Sequence, residues 1–391
     1  MRRRIVSRLT LALLLLATGA EAAACSLCGG GLQRSLTMRE EARYAKIVVV
    51  GTLENPRLTP GGNGLSGGGA TDLRIEKVLK TDPALKGKEV LTIPRYIPVD
   101  AKKPARFLVF CDVFEGKIDP YRGTPVRGDA LLPYLAGAIG QPEKDRTKSL
   151  LYFYRHLDAA DPDVAADAFL EFAKASDRDV GEVARHLDPG RLRKLLTDPK
   201  TPPERLGVFA FLAGACGGDA EADLLARMIR EDSERSRAAL SGLLSGYIEL
   251  RPSEGWELAL RILSDEKRKF SERLAVLGTV RFFQGWKPQQ VRDVVLRAMG
   301  AIVPQGDMAD LAVEDLRRWK WWDLTGAVLA QYGKETHSSP LVRRAIVRYA
   351  LSCPRPEAKE FVARLARSDP KLVAELKQAL EFETPSDPAS R

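Results

Sequence analysis

Asp161–Ala173, DPDVAADAFLEFA, is the stretch on which the fold turns. Val164, Ala165, Ala168, Phe169, Phe172 and Ala173 recur at the i, i+1, i+4, i+5, i+8, i+9 spacing, which lays a broad apolar stripe along one side of a helix. Asp161 can cap the unpaired N–H groups of the first turn. Pro162 suits the first helical position, where its missing N–H costs nothing. Small Ala alternating with large Phe favours close packing of helix on helix. One amphipathic helix cannot bury such a stripe alone, so the stretch requires neighbours.

The neighbours follow down the chain. Pro203–Ala215 (PERLGVFAFLAGA), Glu234–Tyr247 (ERSRAALSGLLSGY), Phe270–Phe283 (FSERLAVLGTVRFF) and Ser339–Leu351 (SPLVRRAIVRYAL) carry the same spacing. Each is followed by a second helical segment, at Ala220–Arg230, Ser253–Leu263, Pro288–Ile302 and Pro356–Arg367. The starts at Asp163, Pro203, Glu234 and Phe270 lie about 31–40 residues apart, the interval of an α-solenoid built from helix pairs. Residues 150–382 resemble HEAT repeats of the short bacterial kind, best at DPDVAADAFLEFA and PLVRRAIVRYAL. That resemblance implies an all-α architecture and says little of function.

The whole chain has 391 residues, 45% apolar and 29% charged, the composition of an ordinary globular protein with room for two domains. Its first 24 residues read as a signal peptide. Arg2–Arg4 form the basic region, Leu9–Ala17 the short apolar core, and Ala20–Ala24 offers two A-x-A cleavage patterns. Removing this leader takes away Arg2, Arg3, Arg4, Arg8 and Glu21, and lowers the formal charge from +9 to about +6. The remaining charge is spread rather than blocked; the leader makes a place outside the cytoplasm the expectation, and export argues against a nucleic-acid partner. Cys25 directly follows three alanines, and membrane anchoring is expected only if it is lipidated. Cys25, Cys28 and Cys111 invite a disulfide in an oxidising compartment, tethering the mature N-terminus to a strand. Cys25–Cys28 is a lone CxxC, without the histidine of a haem motif or the second pair of a zinc site. Cys216 and Cys353 fall in helical context and read as small buried hydrophobes.

The period changes between Glu41 and Ile139. Ala45–Leu53 (AKIVVVGTL), Thr71–Leu79 (TDLRIEKVL), Lys88–Tyr96 (KEVLTIPRY) and Ala105–Val113 (ARFLVFCDV) read as strands. Gly128–Ile139 reads as a helix that plugs the end of a small barrel. Pro60–Gly69 (PGGNGLSGGG) is a hairpin loop, because no Lys-Ser or Lys-Thr follows to complete a phosphate cradle. CSLC, AKIVVVGTL, VLKTDPALKGKEV and RFLVFCD, in that order, resemble the netrin-like, tissue-inhibitor-of-metalloproteinase-like OB-fold domain. The resemblance implies that Cys111 pairs with Cys25 or Cys28, although the spacing here is CxxC where the family has CxC. The expected organisation is a small OB-like β-barrel at 25–140, a linker at 141–149, the all-α HEAT-like solenoid at 150–382 and a disordered tail at 383–391.

No catalytic pattern emerges. His156, His186 and His337 sit in separate repeats, and Gly242–Gly246 is not a nucleophile elbow. Acidic residues run with basic ones, as in Asp315–Arg318, and read as solvated helix faces. Arg317–Trp322 (RRWKWW) stands apart: Trp319 and Trp322 are i, i+3 neighbours, and Trp and Arg dominate binding at interfaces. Arg317, Arg318, Trp319, Trp322, Arg343, Arg344 and Arg348 are therefore the candidate partner-binding residues. The expected function is that of an exported, non-catalytic binding or scaffold module with a protein partner and no cofactor. Regulation of an extracytoplasmic hydrolase through the β domain is the second expectation.

Overall fold

The computed structural model describes residues 35–58 and 68–383. The expected leader, Cys25, Cys28, most of the glycine-rich loop and residues 384–391 lie outside the described residues. The first element is α1 (Met38–Tyr44), closed by a capping box in which the Glu40 N–H donates to the Thr37 hydroxyl and the Thr37 N–H donates to the Glu40 carboxylate.

Five strands follow: β1 (Ile47–Leu58), β2 (Gly69–Lys80), β3 (Val90–Ile93), β4 (Arg106–Phe114) and β5 (Lys117–Pro125). They form one antiparallel sheet in the order β3-β2-β1-β4-β5. The β-branched run Ile47–Val50 makes the central strand and is buried on both faces. Alternation then divides the sheet. Ile47, Val49, Leu53, Leu73, Leu91, Val109 and Cys111 fill one core. Val48, Val50, Leu108 and Phe110, on the other side, join the core of the helices. β3 and β5 approach each other at the sheet's ends without a hydrogen-bonded ladder, so the domain is an open barrel. The expected third strand shrinks to Val90–Ile93. Beyond it the chain is held by Thr71, whose hydroxyl accepts from the Ile97 N–H at 2.8 Å and donates to the Arg95 carbonyl at 2.9 Å. β5 was not expected at all. Pro120, Gly123 and Pro125 hide it, and an edge strand tolerates them.

The helix expected to plug the barrel is α2 (Leu131–Ile139). Leu131, Tyr134, Leu135 and Ala138 are buried in the helical core that takes the outer sheet face, not in the barrel interior. The stretch 141–149 already contains the start of α3 (Arg146–Tyr154), and the hydroxyl of buried Ser149 donates to the Pro142 carbonyl at 2.6 Å. α4 (Pro162–Ala173) is the opening stretch itself, capped by Asp161 as expected.

The remaining helices are α5 (Asp177–Ala184), α6 (Pro189–Thr197), α7 (Pro203–Cys216), α8 (Asp219–Glu231), α9 (Glu234–Ala238) and α10 (Leu240–Leu250). They continue as α11 (Pro252–Ser264), α12 (Phe270–Trp286), α13 (Pro288–Ile302) and α14 (Ala309–Trp319). The last four are α15 (Thr325–Leu329), α16 (Pro340–Ser352), α17 (Pro356–Ser368) and α18 (Pro370–Glu383). Proline opens α7, α11, α13, α16 and α17, where the first N–H needs no partner. α7, α10 and α12 stack in one row and α14 packs on α16, while α11 packs on α13 and α15 on α17, giving a helical solenoid. The expected helix at Glu234–Tyr247 is broken at Ala239 into α9 and α10. α10 then meets α7 backbone to backbone: a Cβ added at Gly242 would overlap the Gly207 carbonyl, and one at Gly214 would overlap Gly246.

Candidate functional site

Arg317–Trp322 straddles the end of α14. Lys320 takes the left-handed conformation, with φ 56°. The Trp321 N–H donates to the Leu316 carbonyl at 2.9 Å, and the Lys320 N–H to the Arg317 carbonyl at 3.1 Å, a Schellman closure. The helix therefore stops at Trp319, and Trp319 and Trp322 do not share a helical face as their spacing suggested. Trp319 meets Trp321 edge-on at 5.4 Å, while Trp322 packs against Tyr349 of α16 at 5.0 Å. All three indoles are half-buried against the core. The Arg292 guanidinium of α13 lies over the Trp321 ring at 4.8 Å.

The candidate arginines divide into two sets. Arg317 and Arg348 alternate with two carboxylates. Arg317 pairs with Glu314 at 2.8 Å and with Glu383 at 3.0 Å, and Arg348 pairs with Glu314 at 3.0 Å and with Glu383. This ring of four ties α14, α16 and α18 together. Burial alone would raise the Glu383 carboxyl, but the two guanidiniums hold it below its ordinary value. Glu383, expected to start the tail, is thus the last residue of a fixed helix. Arg318 and Arg343 are exposed, as is Lys320, and Arg343 also lies over the Tyr332 ring. Arg344 is half-exposed and pairs with Glu375 at 2.8 Å. Asp315, expected on a solvated face, is buried instead and accepts from Arg281 of α12 at 2.7 Å.

A second polar cluster escaped the sequence reading. Asp167 and Glu171 of α4 are buried. The Met38 N–H, at the start of α1, donates to Asp167 Oδ1 at 2.7 Å, and the Tyr134 hydroxyl donates to Oδ2 at 2.7 Å. The Arg39 guanidinium donates to Glu171 at 2.7 Å. Lys174, one turn on, donates to Glu40 at 2.5 Å. Burial pushes both carboxyls above their ordinary values, with the Met38 and Tyr134 donors opposing it at Asp167 and Arg39 opposing it at Glu171. This cluster fastens α1 and the barrel to the first helices of the solenoid. Asp167 and Glu171 lie off the apolar stripe of α4, and it is the arrival of α1 on that face that buries them.

The histidines do not converge. His156 packs against Tyr134 and Tyr152 at 4.9 Å each, and His337 is buried with its ring nitrogen 3.0 Å from the Val303 carbonyl. Among the described residues no group of histidine, cysteine and carboxylate side chains is placed to hold a metal ion. Among the described residues Cys111 has no disulfide partner; its side chain is fully buried in the barrel, where burial, with the Asp119 charge adding to it, pushes the thiol's pKa up to about 12. Cys353 is buried as expected, whereas Cys216 is only half-buried. No described helix is long and apolar enough to cross a membrane.

Open cavities flank the barrel. One, of about 510 Å³, separates Leu132, Ala136 and Ile139 of α2 from Lys77 and Leu79 of β2 and Arg106 of β4. Another, of about 330 Å³, lies between β3 and β5. No protein-family model and no curated protein matches this chain.

Proposed function

We propose that the protein is an exported, non-catalytic binding or scaffold module that meets a protein partner through its helical solenoid. The observation that carries this reading is the half-buried Trp319–Trp321 pair under Arg292, with exposed Arg318 and Lys320 beside it in the chain and Arg343 on the adjacent α16. Preformed indoles with cations around them lose little side-chain freedom on binding, which is what makes Trp and Arg effective anchors. The strand order and the two rows of helices fit a netrin-like barrel joined to HEAT-like repeats, and the leader fits export. A second reading places the partner, an extracytoplasmic hydrolase, on the β domain. The open cleft between α2 and β2, with Leu79, Leu132 and Ile139 beside Lys77 and Arg106, favours it.

Quantitative affinity capture from an envelope extract distinguishes the two. The bait is the full-length protein, as wild type, as Arg318→Glu/Lys320→Glu/Arg343→Glu and as Leu79→Asp/Ile139→Asp. A partner lost at least about tenfold with the first variant alone supports the solenoid reading. Loss with the second variant alone transfers the function to the β domain. A capture profile that neither variant alters overturns both.

A further inference from the structure

We propose that the angle between α1, α2 and β2 is a binding site for a small amphiphilic carboxylate, an acid group carrying a short apolar tail. Two cavities adjoin there. One, of about 340 Å³, has Ala42, Val48, Leu79 and Ile139 as its apolar wall, and Leu79 and Ile139 are among the exposed large apolar side chains. The other, of about 250 Å³, is walled only by the charged side chains Arg39, Glu40, Arg43, Glu143 and Arg146. Arg39, Arg43 and Glu143 border both, so an apolar compartment opens directly on a charged one. An apolar body with a few polar groups at one end is the usual form of a small-ligand pocket, and the first cavity has the size of one. Leu79 and Ile139 also border the 510 Å³ cleft, into which a longer tail could continue. The site stands apart from the solenoid and does not depend on a protein partner there.

Charge selects the ligand. Three guanidiniums face two carboxylates in the charged cavity, and Lys80 adds a cation to the apolar one. Both carboxylates are already engaged. Glu40 accepts from Lys174 at 2.5 Å and from the Thr37 N–H at 2.9 Å, and Glu143 accepts from Arg43 at 2.8 Å. The cations are less fully matched. Among the described residues Arg146 pairs only with Asp179, at 3.9 Å, too far for a hydrogen bond. Lys80 donates to the Ala42 and Arg43 carbonyls, at 3.0 and 2.8 Å, which leave its charge uncompensated. Arg39 gives Nη2 to Glu171 at 2.7 Å, but its Nη1 is buried with no acceptor among the described residues. The Phe153 ring, 5.2 Å from that guanidinium, helps to fix it. The Arg43–Glu143 pair is open to water and weak, so an incoming carboxylate can replace Glu143 at Arg43. A carboxylate also matches the guanidinium fork with two parallel bonds. The acid group then lies between Arg43 and Arg146, and the tail runs along Leu79 and Ile139.

Calorimetric titration of the full-length protein with octanoate, octylammonium and acetate tests this. Octanoate should bind with a Kd below about 1 mM, and octylammonium and acetate at least about tenfold more weakly. Arg43→Gln/Arg146→Gln removes the two outer guanidiniums and should weaken octanoate at least about tenfold, as should Ile139→Asp in the apolar wall. Thermal unfolding shows whether each variant is folded, and the comparison of octanoate with octylammonium needs no variant. An octanoate Kd above about 10 mM, or octylammonium bound as tightly as octanoate, overturns the proposal. Octanoate binding that both folded variants retain unchanged places it elsewhere and overturns the proposal too. Capture of the protein by phosphatidylglycerol vesicles that octanoate does not compete assigns these cations to a lipid surface and overturns it equally.

Discussion

Asp167 holds the two halves of the molecule together through two accepted hydrogen bonds in a buried site. Leucine in its place leaves the Met38 N–H and the Tyr134 hydroxyl without acceptors, and Asp167→Leu is expected to cost about 2–5 kcal/mol in urea unfolding. Asp167→Asn keeps an acceptor and adds a diagnostic. Burial raises the Asp167 carboxyl above its ordinary 3.8, so the folded state binds that proton more tightly than the unfolded chain. The stability this confers is complete below the ordinary value and is lost as pH rises through the raised one. Asparagine does not titrate, so the variant should gain on the wild type as pH rises from about 4 through the raised carboxyl's titration. A difference that stays flat, or that favours the variant on acidification, contradicts this account. Cys111 carries a separate expectation. In protein from an oxidising compartment, non-reducing peptide maps should join it to Cys25 or Cys28. Closure of so long a loop contributes about 3–5 kcal/mol in the chain-entropy model. Three free thiols in such protein would refute the pairing. Asp167 was illegible in the sequence because its main-chain partner lies 129 residues away, and helical spacing sees only neighbours.

Helices with a capping residue or an N-terminal proline were legible, as α4, α7 and α16 show, because start signal and apolar period agreed there. β5 was not, since its prolines argue against a strand and only its edge position admits them. The break at Ala239 and the left-handed Lys320 were missed for a related reason: neither residue is the glycine that usually marks such a site. The α7–α10 contact gives the sharpest test at this scale. Gly242→Ala drives a methyl into the Gly207 carbonyl and should cost at least about 2 kcal/mol. Gly326→Ala in α15 meets nothing within 4 Å, and should be neutral or stabilise by up to about 1 kcal/mol. Phe209, buried edge-on to Phe169 at 6.3 Å, should cost about 3–5 kcal/mol when cut to alanine. Arg344→Ala, which breaks only a surface pair, should cost less than about 1 kcal/mol. Thermal or urea unfolding ranks the four, and a costly Gly326→Ala or a silent Gly242→Ala would undo the packing argument.

The molecule was legible as barrel then helices, but not as one connected core. Val48 and Phe110 of the sheet are buried in the same cluster as Phe153, Phe172 and the helices beyond. All five tryptophans, Trp256, Trp286, Trp319, Trp321 and Trp322, lie in the helical half, so their emission reports that half alone. A shared core predicts that amide protons of β1 and β4 open at the same urea concentration at which tryptophan emission changes. A sheet that stays protected after the emission transition would mean two independent units. The position of α1 carries a mechanical consequence. It precedes the barrel in the chain yet is bonded to α4, which follows it. Tension applied at residue 35 passes from α1 into α4 and its C-terminal cap through the Met38–Asp167, Arg39–Glu171 and Glu40–Lys174 bonds, and the strands lie off the line of force. Stretched between its ends, the protein should lengthen first as a coil of helices, with the barrel slack and intact until those bonds part.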